Sequence, residues 1–547
     1  MESISSTRQE RNDGRRVECD SVRLSYRVVL LALATLWLIT VVAVAPVSPA
    51  TAQPTTTQAQ KPAPVTPLDI EPALNRWRLM EPLGVGERAR NPLYDPYNPN
   101  VVKGDYPLLG DKVFLATTAV LDAFGDFKSN LDFTKRIRNV FFDEHNEVGQ
   151  LTGTLAIEIF HGDTVFQPKD WAVRVTPIVR WRCGDRNAIS QGCGEDIRVL
   201  EAFGEAKLFE VGPNFDATSA RLGLQIFNSD FQGFIYNDVQ PGGRVFSELS
   251  RNQFKLNLAA FDRLNKEKLS GLNEFKRREH QVAVASLQWD DFLMPGFNVL
   301  PNVVVSIDDK LNRTLEAYYV GVATNGRLGR FNVNSAVYYV FGGTADNTPN
   351  RRRQDISAGM VFAQAAYPIE FIAPRLAVAW ATGDRDPNDK HATGFDSVFD
   401  NVAFGGGQFS YLFGEKVQLG NTTLFRGNSI FPSLRAANAT SQFVNPGILA
   451  VNPGLDVAVT PKTLFEVNFN YARFDNTSSL TRLAGNRSVA KDIGYEMNAG
   501  LTYRPFLNEQ VILFAGGGVL FPAQGLRDLF GTDETVYKAI VRMVLVF

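Results

Sequence analysis

The first candidate for chemistry is a run of acidic and amide side chains, GDRDPND. Asp384, Asp386, Asn388 and Asp389 are spaced as at the start of a calcium-binding loop, because a hard cation needs several clustered oxygen ligands. The twelfth position of such a loop is Phe395 here instead of glutamate. The four residues therefore predict either a calcium site or a solvated acidic loop.

Two cysteines flank a polar stretch, CGDRNAISQGC. Cys183 and Cys193 are the pair that remains of three cysteines if Cys19 is removed with an export signal. Paired cysteines oxidise in exported proteins, so the spacing predicts a disulfide across an outer loop. A metal site is the alternative, but it lacks further ligands nearby in the sequence.

Motifs for enzymatic chemistry are missing from the sequence. It contains no H-E-x-x-H, G-x-S-x-G or Walker A pattern, and no C-x-x-C-H for haem. Its four histidines are scattered, and Asp143-Glu144-His145 is the one compact cluster. The sequence predicts no enzyme and no cofactor other than the calcium alternative, with a barrel-borne hydrolase as a rival interpretation.

The N-terminus predicts export. Arginines precede an apolar run at residues 28–45, and small residues lead to an A-x-A cleavage signal ending at Ala52. We expect a signal peptide at residues 1–52, the competing interpretation being an uncleaved membrane anchor. Residues 53–67, QPTTTQAQKPAPVTP, predict a disordered periplasmic linker. Residues 68–111 predict an irregular periplasmic or plug-like segment.

From residue 112 to 547 the chain repeatedly alternates apolar and polar residues, as where Trp171, Val173 and Val175 alternate with Arg174 and Thr176. Such segments give a strand one apolar and one polar face, and about ten residues cross a bilayer. A transmembrane barrel also explains an ordinary composition, 44% hydrophobic. The pattern predicts an all-β fold, one large antiparallel transmembrane barrel of about 18 strands, within a range of roughly 16 to 20. The predicted strands are 112–124, 150–160, 171–182, 196–210, 219–228, 241–249, 253–262, 280–290, 297–307, 313–323, 330–341, 355–366, 374–383, 441–459, 462–474, 492–503, 509–521 and 535–547.

Short turns alternate with longer polar connections, which is typical of an outer-membrane barrel with both termini in the periplasm. The segment at residues 384–440 is long enough to fold into the lumen as a constriction. Its acids would then face arginines of the third strand across the channel. The predicted lumen charges are Glu158, Arg174, Arg180, Arg182, Glu201, Glu205, Lys207, Lys255, Glu316 and Glu496.

The last strand has an apolar face that ends on a C-terminal phenylalanine. Its members include Tyr537, Val541, Met543, Leu545 and Phe547. This face resembles the terminal signal by which the barrel-assembly machinery recognises outer-membrane proteins. The resemblance implies that this machinery is a partner of the chain.

Four segments resemble a family of large, little-characterised porin-like barrels from the outer membrane of Gram-negative-type bacteria. They are DPYNPNVVKGDYP at 95–107, FNSDFQGFIYND at 227–238, ATGDRDP at 381–387 and GFDSVFDN at 394–401. The resemblance implies a single barrel with a periplasmic N-terminus, but no established substrate. ATGDRDP is also similar to alginate-export-type barrels, although an obvious basic ladder is missing.

Charge narrows the function further. The formal net charge of −2 gives no basic surplus for nucleic acid. Mixed charges in a wide lumen predict passive diffusion of small polar solutes through a channel surrounded by outer-membrane lipid. The alternatives are a conduit or sheath around a periplasmic partner, such as a multihaem cytochrome, and polysaccharide export. The sequence indicates no oligomeric state.

Overall fold

The structure is a computed structural model that describes most of the chain beyond residue 99. The described residues are 100–129, 145–162, 168–185, 191–212, 216–267, 270–309, 314–344, 353–419, 422–435, 440–506, 510–531 and 533–547. The predicted signal peptide, the linker and residues 68–99 of the N-terminal segment lie outside them. No helix in the described part is long and apolar enough to cross a membrane.

Eighteen antiparallel strands form a closed barrel, as the sequence predicted. The barrel strands are β2–β14 and β18–β22, and each predicted strand overlaps one of them. The strands are β1 (Lys103–Leu109), β2 (Val113–Ser129), β3 (His145–His161), β4 (Trp171–Asp185), β5 (Gln191–Glu210), β6 (Ala217–Asn228), β7 (Asn237–Leu249), β8 (Phe254–Lys266), β9 (Asn273–Trp289), β10 (Phe297–Asp308), β11 (Leu315–Leu328), β12 (Phe331–Thr344), β13 (Gln354–Ala366), β14 (Ile372–Ala381), β15 (His391–Ala392), β16 (Lys416–Leu419), β17 (Thr422–Arg426), β18 (Ile448–Thr460), β19 (Thr463–Arg473), β20 (Asp492–Tyr503), β21 (Val511–Pro522) and β22 (Val536–Val546). Two short helices, α1 (Ser478–Leu483) and α2 (Gln524–Phe530), lie in connections between barrel strands.

The outer surface of the barrel is apolar because strand side chains point alternately in and out. Trp171, Val173 and Val175 on β4 are 40%, 52% and 43% exposed, and Tyr537 and Val541 on β22 are 45% and 54% exposed. An apolar surface this extensive is stable in contact with acyl chains and not in water. The alternation predicted from the sequence therefore places the apolar stripes outside.

The barrel closes where β2 pairs with β22, from Val120 opposite Val546 to Lys128 opposite Lys538. The backbone of Phe547 exchanges two hydrogen bonds with Ala119, of 2.8 and 3.1 Å. Beyond this point β22 ends, and β1 pairs with the part of the β2 edge that β22 does not reach. The expectation of an irregular N-terminal segment is thus wrong for β1, since an unpaired strand edge favours an added strand.

The described residues between β14 and β18, which are 382–419, 422–435 and 440–447, fold inside the barrel, and we call them the lumen insert. They contain short strands β15–β17 and contribute several buried phenylalanines to one large apolar core with the barrel wall. The Phe404 ring lies 6.3 Å from that of Phe362 on β13, and the Phe395 ring lies 6.2 Å from that of Tyr319 on β11. Each buried phenylalanine stabilises the packing by roughly 1.5–3 kcal/mol.

The insert explains why β11 is largely apolar on both faces. Ala317 and Tyr319 on β11 are fully buried against the insert, whereas Val320 is 46% exposed on the outer face. Glu316 shares the outer face with Val320, because alternate residues point the same way. The prediction that Glu316 faces the lumen is therefore wrong, and the misassignment arose because the inner side of this strand is not polar.

Candidate functional site

One half of the lumen wall, formed by β2–β7 and β22, carries charged residues that the insert leaves partly exposed. We call it the charged wall. On β4 the Nε atom of Arg174 lies 3.1 Å from Glu201 Oε2, and its Nη1 lies 3.5 Å from Glu158 Oε2. Thr176 donates a 3.2 Å hydrogen bond to Glu201. Strand alternation thus brings residues of β3, β4 and β5 into one ionic row.

A second row lies on β5 to β7 of the charged wall and extends to the neighbouring strand β8. Arg221 donates two hydrogen bonds to Glu205 Oε2, of 2.8 and 2.6 Å. Arg244 instead donates a 2.9 Å hydrogen bond to the amide oxygen of Asn257, and its guanidinium lies 4.5 Å from the centre of the Phe246 ring. Arg244 is therefore a lumen cation that makes no direct ion pair with a carboxylate among the described residues. The sequence analysis missed both arginines, although each alternates with outward apolar neighbours.

The connection between β8 and β9 narrows the lumen by contacting the charged wall. Ser270 donates a 2.6 Å hydrogen bond to Asp196 on β5, and Arg180 on β4 donates to the carbonyl oxygen of Ser270. These contacts fix the connection to β5 and β4, which lie three and four strands from β8 around the barrel. The lumen is therefore constricted by this connection as well as by the insert.

Ionic contacts join the insert to the first and last strands. Glu415 of the insert lies between Lys128 on β2 and Lys538 on β22, with 2.5 Å from Oε1 to the Nζ of Lys538. Gln408 accepts a 3.2 Å hydrogen bond from Arg542 on β22. The insert is thus tied to the strands that close the barrel, in addition to its apolar core.

Glu496 on β20 holds one turn of the insert by its backbone. The carboxylate accepts hydrogen bonds from Ser410 Oγ at 3.0 Å, from the Tyr411 N–H at 3.1 Å and from the Leu412 N–H at 3.0 Å. It is fully buried, as a carboxylate can be only when its oxygens are hydrogen-bonded. The predicted lumen position of Glu496 therefore serves to fix the insert.

We predict that Gly406→Ala will loosen this part of the insert. Gly406 has φ of +99°, and a Cβ atom there would collide with the side-chain oxygen of Asn498. We expect a loss of about 2–4 kcal/mol from strain and overpacking, seen as faster proteolysis of the insert in the folded barrel. Gly407→Ala is the matched control, because Gly407 has φ of +53° but its nearest neighbour to a Cβ would be 3.5 Å away. Equal proteolysis of the two variants would contradict the prediction.

Two of the predicted lumen cations lie close to the short turns. The Nζ atom of Lys207 lies 2.9 Å from Asp170, and that of Lys255 lies 2.8 Å from Asp290. Both make ion pairs at this end of the barrel. A hydrogen bond from Lys207, and a weaker contribution from a hydrogen bond with His161, lower the pKa of Asp170, although partial burial opposes this shift.

The described acids of the insert do not face the arginines of β4, contrary to the sequence-based expectation. Asp396 lies 3.5 Å from Arg435 Nε, and Asp400 pairs with Arg426. Both arginines belong to the insert itself. The acids are thus neutralised locally, so the field expected between the insert and β4 does not arise from them.

The predicted calcium ligands stabilise turns of the insert. Asp384 accepts a 3.0 Å hydrogen bond from the Thr393 N–H, and burial raises the pKa of its carboxyl to about 6 despite this bond. Asp386 accepts from the Asn388 N–H at 3.0 Å, and Asp389 accepts from a backbone N–H two residues on. No group of three or more His, Cys, Asp or Glu in the described part could hold a metal ion. Calcium binding stays a prediction that this arrangement does not support.

The predicted disulfide is present. Cys183 on β4 and Cys193 on β5 are directly paired positions of neighbouring strands and form the bond. It closes the connection between these strands at the end of the barrel that bears the longer loops. The sequence spacing was sufficient to find it.

A serine, a histidine and an aspartate on β9 and β10 superficially resemble a hydrolase triad. Ser306 Oγ lies 2.8 Å from His280 Nε2, and Asp308 Oδ2 lies 3.4 Å from His280 Nδ1. However, Arg263 Nη1 also lies 3.2 Å from Nδ1 and can only donate there, which favours the tautomer with its proton on Nε2, and that tautomer cannot accept the serine proton. All are at most 1% exposed. These residues therefore serve as a buried hydrogen-bonded group, and Ser306 is not activated as a nucleophile. The side chains of the Asp143-Glu144-His145 cluster lie outside the described residues.

No protein-family model and no curated protein sequence matches the chain. Solved structures with a similar fold include OccK5 (OpdH) of Pseudomonas aeruginosa, at 10% identity and a TM-score of 0.44, covering 79% of this chain and 98% of that one. A BenF-like porin from Pseudomonas fluorescens Pf-5 has 9% identity and a TM-score of 0.48, covering 79% and 98%. OccAB1 of Acinetobacter baumannii has 10% identity and a TM-score of 0.49, covering 79% and 97%.

Proposed function

We propose that the chain is an outer-membrane channel for passive diffusion of small polar solutes, with no enzymatic activity. The observation that carries the proposal is the asymmetric lumen, in which a partly exposed charged wall lies opposite an insert that fills the apolar side. Polar solutes and ions would pass along the charged wall, because its rows of both signs can replace part of their hydration. The solved neighbour named as a porin is consistent with this role.

The insert argues against the two alternative conduits. A sheath around a folded periplasmic protein needs an empty lumen, and here the insert occupies much of it. Polysaccharide export would need a continuous track of one charge for a polyuronate, whereas Arg174 and Arg221 are each paired with carboxylates. Assembly by the barrel-assembly machinery remains part of the proposal and rests on the apolar face that ends at Phe547.

Conductance of the purified full chain in a planar lipid bilayer tests the function. We expect discrete steps from the protein alone, without a partner and without a substrate-coupled energy source. A correctly folded barrel that produces no steps and does not admit small sugars into liposomes would contradict a diffusion channel.

Ion preference tests the role of the charged wall. We predict that Arg244→Gln will lower the permeability of chloride relative to potassium, because it removes a lumen cation that has no paired acid among the described residues. Glu205→Gln is the matched opposite, since it leaves Arg221 without its carboxylate and should raise relative chloride permeability. The reversal potential in a potassium chloride gradient measures both. Shifts in the same direction would contradict a pathway along this wall.

A further inference from the structure

Four arginines gather where the insert meets β8 and β9, and we call them the arginine cluster. Arg263 and Arg278 come from the barrel wall, and Arg426 and Arg435 come from the insert. Arg263, Arg278 and Arg435 are 1%, 5% and 6% exposed. Guanidinium groups are rarely buried unless each is paired, so the partners of this group need to be counted.

The arginine cluster and the neighbouring Lys266 together carry one more positive charge than the carboxylates that they contact among the described residues. The contacts are Arg263 to Asp238 at 3.2 Å, Lys266 to Asp238 at 2.6 Å, Arg278 to Asp308 at 3.0 Å, Arg435 to Asp396 at 3.5 Å, and Arg426 to Asp400. Five cations therefore share four carboxylates. His280 contributes no charge to this count, because a ring whose Nδ1 accepts a hydrogen bond from Arg263 is neutral.

Four N–H groups of the cluster have no hydrogen-bond acceptor in the described part of the chain. They are Nε of Arg263, Arg278 and Arg426, and Nη2 of Arg435. Buried donors almost always have a partner, and leaving one unpaired costs roughly 1–3 kcal/mol. Four in one cluster indicate that something accepts hydrogen bonds from them.

Three of the four arginines, together with Lys266, lie around one short stretch of the insert. The charged groups of Arg263, Lys266 and Arg426 lie 5.0, 5.6 and 5.7 Å from the centre of the Phe399 ring. Arg435 donates a 3.4 Å hydrogen bond to the carbonyl oxygen of Val398, the residue before Phe399. Wall and insert cations thus surround a common region instead of lying far apart.

We propose that a small inorganic anion of the chloride class is bound between Arg263, Arg426 and Arg435, beside Phe399. One negative charge balances the count of five cations and four carboxylates, and a spherical acceptor can receive N–H groups from several directions. A water molecule would satisfy the donors but would leave the charge unbalanced. The anion would join the wall to the insert, and it would be held whether or not the lumen conducts solutes.

Bromide substitution in crystals of the full-length protein tests the site directly. We expect an anomalous peak within hydrogen-bond distance of Arg426 and Arg435 when bromide replaces chloride at the concentration that a standard purification buffer contains. A peak that appears only at molar bromide would mean an adventitious ion only and would overturn the proposal. Density for water without an anomalous signal would overturn it as well.

A solution measurement provides an independent readout. In detergent, with potassium gluconate replaced by potassium chloride at constant ionic strength, we expect the Tm to rise in proportion to the logarithm of chloride concentration. Arg435→Met should abolish this rise, while Arg221→Met on the charged wall should retain it. A chloride-independent Tm for the wild-type protein contradicts the proposal, and if Arg435→Met does not fold, the bromide crystals alone decide.

Discussion

Excising residues 395–442 and joining Gly394 to Phe443 through two glycines is expected to raise single-channel conductance at least about twofold, because an empty barrel of this strand number encloses a wide aqueous lumen. The cut is geometrically simple, since the Gly394 N–H donates a 2.8 Å hydrogen bond to the Phe443 carbonyl oxygen and the two ends are already adjacent. Recordings in planar bilayers, compared with the full chain, measure the effect.

The excision also exposes apolar wall residues such as Tyr319 and Phe362, so folding must be checked. Retention of the compact, heat-modifiable form on unboiled gels, together with an unchanged β-sheet signal in circular dichroism, serves as that control. Unchanged conductance in a variant that passes both checks would show that the insert does not limit the pathway.

Glu415→Gln is expected to destabilise the barrel by about 3 kcal/mol, because it leaves the buried ammonium of Lys538 without its anion. The Lys538 side chain is 2% exposed and that of Glu415 is 12% exposed, so water compensates little. Lys128 keeps Asp126 at 3.5 Å and contributes less to the loss. Denaturant unfolding followed by tryptophan fluorescence measures the change.

The matched control is Glu205→Gln, which removes a similar ion pair from the charged wall. Its partner, Arg221, has a side chain 23% exposed to the lumen and can be solvated after the substitution. The control should therefore lose much less stability than Glu415→Gln. Equal losses would indicate that the contact between the insert and strands β2 and β22 contributes no more to stability than an ion pair on the charged wall.

The same contact predicts a dependence on pH. Burial opposes ionisation of Glu415, but Lys538 and Lys128 outweigh it and lower the pKa of the carboxyl from 4.5 to about 2. A carboxyl whose pKa is lower in the folded state stabilises the fold above its unfolded pKa. We therefore expect this part of the stability to be present above about pH 4.5 and to be lost between about pH 4.5 and 2. Glu415→Gln should not show that loss.

The barrel could be predicted from the sequence because its outer face must be apolar whatever lies inside. Trp171, Val173 and Val175 show that constraint plainly. The polarity of the inner face cannot be predicted in the same way, because a wall that protein covers is apolar and a wall that faces water is polar. That is why Glu316 was assigned to the wrong side, and why Arg221 and Arg244 were overlooked despite their regular alternation.

The contacts of the insert could not be predicted. Glu415 meets Lys128 across 287 residues of chain, and no local pattern marks such a pair. The sequence shows that Asp396 and Asp400 are charged but not which residues they face. The sequence analysis therefore placed them opposite β4, whereas they bind arginines of their own segment. By contrast, Cys183 and Cys193 were found because their chemistry and short spacing are local.

The double-sided apolar strands also constrain the order of assembly. Exposing the apolar inner side of a wall such as β11 to water is unfavourable, so we expect the polypeptide of the insert to be seated while the sheet is still open. Glu415 and Gln408 then reach β2 and β22 as these edges meet. We therefore expect β2 and β22 to pair last, around an insert that is already folded, so that no later threading step is needed.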